Sequence, residues 1–417
     1  MLREHLDARR AKGTLNQDQY VIGMRFRHSL WADDAQPTLV SIEAVTGNQP
    51  VAMSSDDMHC GWVNSAAAEK LGVHVDESGL VGELEWFDAY CKLDKRPNAA
   101  SELMGFLRNA ELDAARKGVV GIRDYEMAEN IDTWIDRFAQ GLDGLPVQAG
   151  VYPERLRQAI DDGWHTGDEL PGSHGLGHVG AMKMISDGSL NTRSAYCSTP
   201  YSGVTPKTFG TLSYTPEQIE SYMRLATEHG FDIACHAIGD KANTIVLDCA
   251  ERTHAHGSIE HAQMLKQSDI PRLAQLGLAA GIQPQHAMDD RDVITRFWGN
   301  PAGVPYAFNA LHEAGTKLLM GSDAPVAPLD PWLAISAAVF GTESSDREPF
   351  QPEQCLDFEH ALASSTAQGR TDLRVGDNAD LVLLDRDPSI IDEPEAMQAM
   401  PERIVGTRLS GRGTYQR

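Results

Sequence analysis

The chain has 417 residues, 41% of them hydrophobic, which is enough for one large α/β core with an accessory domain or for two or three ordinary domains. Sixty acidic against thirty-six basic side chains leave a net charge of -24, which repels phosphate backbones and anionic lipid, so the expected partner is a small-molecule substrate, with no nucleic acid and no membrane. The six cysteines (Cys60, Cys91, Cys197, Cys235, Cys249 and Cys355) show no C-x-x-C spacing and the N-terminus has no apolar signal-type stretch, so a reduced, cytoplasmic protein is expected.

Residues 1 to about 117 read as a mixed α/β segment opening on a helix, Leu2 to Lys12. Pro50 to Ser54 reads as a strand, Asp57 to Ser65 (DMHCGWVNS) as a polar and aromatic turn, and Ser65 to Leu71 as a short helix. An amphipathic helix, Ala100 to Lys117, runs into Gly118, and there the rhythm changes. Short apolar runs then alternate with helical stretches: Gly118 to Asp124, Pro146 to Tyr152, Val179 to Asp187, Phe231 to Ile238, Ser258 to His261, Leu278 to Pro284 and Thr316 to Asp323. Such alternation calls for a parallel sheet with helices outside, a TIM-type barrel of which seven strands are counted where eight would close it. After Asp330-Pro331-Trp332 come helices to about Gln368 and two β-rich pieces, Ala379 to Asp385 and Arg403 to Tyr415, too few to complete a sandwich.

Lys183 lies within an apolar run of strand character that breaks at Asp187, Gly188 and Ser189. An ammonium in low dielectric is disfavoured, so a lysine buried there is paired, neutral or chemically changed. Other polar residues fall at the ends of the following runs: His236, His261, Gln283 with His286, and Asp323. Barrels of this kind place their active sites at the C-terminal ends of the strands, and imidazoles with oxygen donors suit a zinc-like divalent metal. A carboxylated lysine would add two anionic oxygens; the plainer alternative is an ion pair of Lys183 with Asp187 or Asp323.

Lys183 with DGS at 187–189, HAIGD at 236–240, IEH at 259–261, QPQH at 283–286 and GSDAPV at 321–326 resemble the amidohydrolase superfamily. DMHCGWVNS at 57–65 and GDNADLVLLDRDP at 376–388 resemble in particular its branch that includes N-substituted formamide deformylases. The resemblance implies a barrel at 118–350 carrying strands two to eight, an inserted α/β subdomain at 1–117, and closing helices with a partial β-sandwich at 351–417. It implies one or two divalent ions of zinc type, with Lys183 as the carboxylated bridging ligand and His236 and His261 as ligands of one metal. Asp323 would be both ligand and general base, and His59, Trp62, Asn64 and His286 would bind substrate. The implied reaction is attack of a metal-activated hydroxide on an amide or formamide, a carbon–nitrogen bond other than a peptide bond.

Members of the superfamily carry a His-x-His pair on a first barrel strand, which does not precede residue 1 here, so the chain reads as truncated. The alternative function is accordingly a non-catalytic relative that keeps the pocket without full metal binding; a Schiff-base role for Lys183 is a further one. His254-Ala255-His256 has the spacing of the missing pair but precedes its strand, at the wrong end of the barrel. GLGHVG at 175–180 enters a strand instead of leaving one, which excludes phosphate binding at a helix start. DDRD at 289–292 and ESSDRE at 343–348 read as solvated surface. Seven strands also imply two open edges, the Gly118 and Thr316 strands, and hence association, a homodimer included.

Overall fold

The computed structural model describes residues 2–16, 19–93 and 99–417. Its contacts divide the chain into two compact units, residues 1–100 with 188–194, and residues 101–187 with 195–417.

The first unit is built on a four-stranded sheet. Strand β1 (Val21–Phe26) runs parallel to β2 (Val51–Ser55), while β3 (Cys60–Val63) and β4 (Leu80–Gly82) follow antiparallel, in the order β1-β2-β3-β4. Leu6 from the helix Leu2–Ala11, Ile42 from the helix Leu39–Thr46, Val21 and Val51 form its apolar core. Thr38 starts the second of these helices with a reciprocal capping box to Ser41, satisfying two otherwise orphaned donors. The segment Asp57 to Ser65, expected to be a turn, contains β3. Its alternation is hidden because Gly61 stands where a side chain is excluded: a Cβ there would lie 2.1 Å from the Trp86 ring.

The second unit contains the parallel sheet. Its strands are β5 (Ile122–Asp124), β6 (Val147–Val151), β7 (Gly177–Ile185), β8 (Ile233–Ala237), β9 (Gly257–His261), β10 (Ala279–Ile282) and β11 (Leu318–Met320). All neighbours pair in parallel, in sequence order, so the sheet curls as a half-barrel with β5 at one edge and β11 at the other. These are the seven strands expected, and helices connect most of them. The helix Pro216–Glu228 opens on Thr215 with a capping box to Gln218 and a proline in its first turn, while its buried face (Ile219, Met223, Ala226) keeps helical spacing.

The C-terminal residues add a three-stranded antiparallel sheet, β12 (Leu381–Leu384), β13 (Ile404–Leu409) and β14 (Arg412–Gln416). The β-rich piece Arg403 to Tyr415 is a hairpin, turning at Ser410 and Gly411, which both take positive φ. Thr407 Oγ1 donates to the Ala115 carbonyl at 2.6 Å, fastening this sheet to the helix Ala99–Arg116. One surface expectation fails: Asp290 is buried and accepts from Gln263 Nε2 at 2.7 Å and Tyr306 Oη at 2.6 Å. His254 and His256 are exposed, His254 closing the helix that precedes β9. Among the described residues no helix is long and apolar enough to cross a membrane.

Candidate active site

Strand pairing sets the starting positions. His236 of β8 lies level with Glu260 of β9, which lies level with Gly281 of β10, so these three share a row across the sheet. His261, one residue beyond Glu260, belongs to the opposite face by strand alternation. A left-handed backbone at His261 (φ 70) and Ala262 (φ 41) ends the extended run there. The His261 ring then sits 4.5 Å from that of His236, edge to face at 69°. Asp323, just beyond β11, also takes a left-handed backbone (φ 53). Such conformations cost a non-glycine residue about 1–3 kcal/mol each and persist where the surroundings impose them, commonly at functional sites.

His286 comes from the first turn of the helix Pro284–Phe297, whose start follows β10. Its ring lies nearly parallel to that of His261, with centroids 5.9 Å apart and planes inclined at 15°. His286 Nε2 is buried with no hydrogen-bond partner among the described residues, and Asp323 Oδ2 is 3.9 Å away. One ligand atom each from His261, His286 and Asp323 lie within 4.8 Å of one another. Two imidazole nitrogens and a carboxylate oxygen form a donor set suited to a divalent ion of zinc type, and a buried nitrogen without a partner is the feature such an ion would satisfy. The residues therefore fit the metal that the resemblance implies.

His236 Nε2 faces Asp187 Oδ1 at 3.5 Å. Asp187 is fully buried and accepts three backbone N–H groups, from Ile238 at 3.0 Å, Gly239 at 2.9 Å and Tyr196 at 2.8 Å. That cradle fixes the carboxylate which in turn orients His236, a role the DGS motif did not disclose. Lys183, buried on β7, points its Nζ at the Tyr125 ring, 5.0 Å from the centroid, a cation–π contact. Burial, then the Glu260 charge, pushes the Tyr125 phenol far above its ordinary range, so Tyr125 stays a neutral ring. The plain alternative of a Lys183 ion pair with Asp187 or Asp323 is not what the structure shows: Asp187 faces His236 and Asp323 faces His286.

Of the expected substrate-binding residues, His286 instead joins the donor cluster. His59, Trp62 and Asn64 belong to the first unit. His59 Nδ1 bonds Glu83 Oε2 at 2.9 Å, while Thr192 Oγ1 donates to Glu83 Oε1 at 2.9 Å and the Ser194 hydroxyl reaches the same oxygen. Burial would raise the Glu83 pKa, but the His59 charge and the hydrogen bonds from His59, Ser194 and Thr192 outweigh it and hold the carboxyl below its ordinary range. Glu83 was not singled out in the sequence; its place as the first residue of the helix Glu83–Leu93 gave no sign of a partner in the segment before it. Trp62 packs edge-on against Trp31 with centroids 5.9 Å apart. Asn64 is completely buried and caps the helix Ser65–Leu71. Its Oδ1 accepts from Val51 and Ala67 N–H, and its Nδ2 donates to Gln49 O and Thr46 Oγ1, so the expectation that it binds substrate is replaced by a scaffolding role.

Comparison with known proteins agrees with this architecture. YtcJ of Bacillus subtilis is 26% identical over a match covering 98% of this chain and 82% of its own length. LONG AFTER FAR-RED 3 of Arabidopsis thaliana is 33% identical, covering 84% of this chain and 65% of the plant protein. An N-substituted formamide deformylase of Arthrobacter pascens is 24% identical, covering 89% and 74%. Among solved structures, an uncharacterized metal-dependent hydrolase from Pyrococcus horikoshii shares the fold with a TM-score of 0.72 at 24% identity, over 93% of this chain and 81% of that one. The model of the amidohydrolase family matches residues 4–415, and the chain belongs to that family of hydrolases.

Proposed function

We propose that this chain hydrolyses carbon–nitrogen bonds other than peptide bonds, in small amides or formamides, with the help of a divalent metal of zinc type. The observation that carries this reading is the convergence of His261, His286 and Asp323 just beyond the C-terminal ends of parallel strands, where barrels assemble their catalytic groups. The formamide deformylase among the relatives supports amide chemistry. When bound, the cation supplies polarisation of the substrate carbonyl and lowers the pKa of water.

The chain's own groups supply the rest. The Asp323 side chain is 45% exposed, open enough to meet solvent and substrate, and its carboxylate can accept a proton from the attacking water. Delivering that proton to the departing nitrogen completes the exchange: a C–O bond forms, the C–N bond breaks, and an amine and a carboxylate leave. His236, oriented by Asp187, packs against His261 and holds that ring in place. His59 and Trp62 stay in the proposal as substrate-binding side chains.

The test is a panel of N-formyl and N-acyl amines, cyclic amides and matched esters, offered to the zinc-loaded protein. Amine release should vanish on chelation and return with zinc, and Asp323→Asn should lower kcat by about 100- to 10,000-fold. Release that survives chelation, or hydrolysis confined to esters, would refute the proposal.

A further inference from the structure

We propose that Asp290 is a positioning residue for the histidine pair: one of its carboxylate oxygens ties the helix that carries His286 to the residue that closes the left-handed turn of His261. Its effect on turnover rests on the hydrolase reading above, while its effect on the two rings can be observed without any substrate.

The helix Pro284–Phe297 turns a buried stripe inward, and Asp290 stands on it four residues after His286, one turn or about 6 Å along the axis. Asp290 Oδ2 accepts from Gln263 Nε2 at 2.7 Å and from Tyr306 Oη at 2.6 Å. Gln263 follows His261 by two residues, and the two residues before it, His261 (φ 70) and Ala262 (φ 41), both hold a left-handed backbone. Such a turn persists only when its surroundings over-determine it. Gln263 is held twice: its carbonyl accepts from Tyr306 N–H at 2.6 Å, and its side chain donates to Asp290. Burial, then the Asp290 charge, pushes the Tyr306 phenol far above its ordinary range, so its hydroxyl keeps the proton it donates.

Two features separate positioning from plain stabilisation. Met264–Leu265 pairs antiparallel with Val304–Pro305, so backbone alone already brings Gln263 and Tyr306 together. What the carboxylate adds to that pair is a third element, the helix with His286. A buried carboxylate is also a poor source of stability, since apolar packing of similar volume often serves as well or better. Its hydrogen bonds fix direction and distance instead, and the quantity fixed here is the placing of His286 against His261, whose rings lie nearly parallel with centroids 5.9 Å apart. An apolar side chain in its place would fill the space without setting the register of the helix against the paired segments.

The experiment uses the whole chain with isotope-labelled histidines. In the metal-free protein, Asp290→Ala should weaken the NOE between the His261 and His286 rings severalfold. At saturating zinc, kcat for the N-formyl and N-acyl amines should fall about 10- to 100-fold with KM little changed, the cost typical of losing a group that orients a ligand. Gln263→Leu and Tyr306→Phe, each removing one of the two donors, should give smaller losses in the same direction. An NOE of wild-type strength in folded Asp290→Ala overturns the inference whatever the loss of stability, because a merely stabilising carboxylate would lower the melting temperature and leave the rings in place; absence of the NOE from the wild type overturns it too. Should Asp290→Ala fail to fold, Tyr306→Phe is read by the same NOE, a weakened signal supporting the inference and an unchanged one overturning it. A wild type that cleaves no amide sinks the proposed function and leaves the NOE to decide on Asp290; amide cleavage with an unchanged NOE does the reverse.

Discussion

Asn64→Ala separates a scaffolding asparagine from a substrate-binding one. The side chain is wholly buried, and four of its hydrogen bonds, to Val51 N, Ala67 N, Gln49 O and Thr46 Oγ1, span 2.7 to 3.1 Å. Alanine removes the cap of the helix Ser65–Leu71, worth about 1 kcal/mol. It also strands the Val51 N–H and the Gln49 carbonyl, each at about 1–3 kcal/mol when left unsatisfied in a buried place. The lower ends sum to about 3 kcal/mol, and a loss of about 3–5 kcal/mol is expected, far beyond the half kcal/mol or so of an ordinary surface substitution. Because the chain has two compact units, the assay should be local: amide hydrogen exchange at Val51 and Ala67, beside denaturant unfolding, with kcat and KM measured at a temperature where the variant is folded. A variant within about 0.5 kcal/mol of wild type whose KM rises by tenfold or so would refute the scaffolding argument and return Asn64 to the substrate.

Three further outcomes are expected. Burial, reinforced by the Arg193 charge and opposed by Asp57, pushes His28 down to about 4 from its ordinary 6.5, so the unfolded chain takes up the proton first as pH falls. The first unit should therefore lose about 3 kcal/mol of stability between about pH 6.5 and pH 4, and His28→Gln should flatten that part of the denaturation profile; equal slopes in both proteins would contradict this. Gly239→Ala places a Cβ 2.1 Å from the Tyr196 carbonyl oxygen and disturbs a donor to Asp187, so a loss of about 3 kcal/mol and a shifted His236 ring resonance are expected, with an unchanged melting temperature as the refuting result. Among the described residues β5 pairs with β6 alone and β11 with β10 alone, so we expect concentration-dependent association, a homodimer first, weakened by Leu319→Lys; sedimentation as a concentration-independent monomer would contradict it.

The half-barrel was legible because a βα repeat announces itself by alternation of short apolar runs with helical ones, and every one of the seven runs became a strand. What was missed followed from physical effects that composition hides. In the helix Pro284–Phe297, Asp290 stands on the stripe of Ala287, Val293, Ile294 and Phe297, all buried, so its helical spacing carried the information that the acidic run obscured. The strand Cys60–Val63 escaped notice because Gly61 is dictated by the Trp86 ring above it, a contact between residues far apart in the chain.

The site shows a sharper limit. The resemblance supplied the candidate residues, and strand order supplied the end of the sheet at which they meet, but the clustering of donor atoms goes with left-handed backbone at His261 and at Asp323. Regular alternation would send His261 to the face opposite Glu260, and the positive φ of His261 departs from that geometry where its ring lies beside His236. Asp323 depends on the same kind of departure. Both lie where a strand gives way to a loop, and no pattern of hydrophobicity encodes a left-handed histidine or aspartate. Lys183 illustrates the converse. It sits within its strand, level with Ala234 and just past a register shift between Val179 and Met182, and its Nζ lies over the Tyr125 ring. The Lys183 contact thus forms within the paired part of the sheet, while the donors gather where pairing gives way to loops.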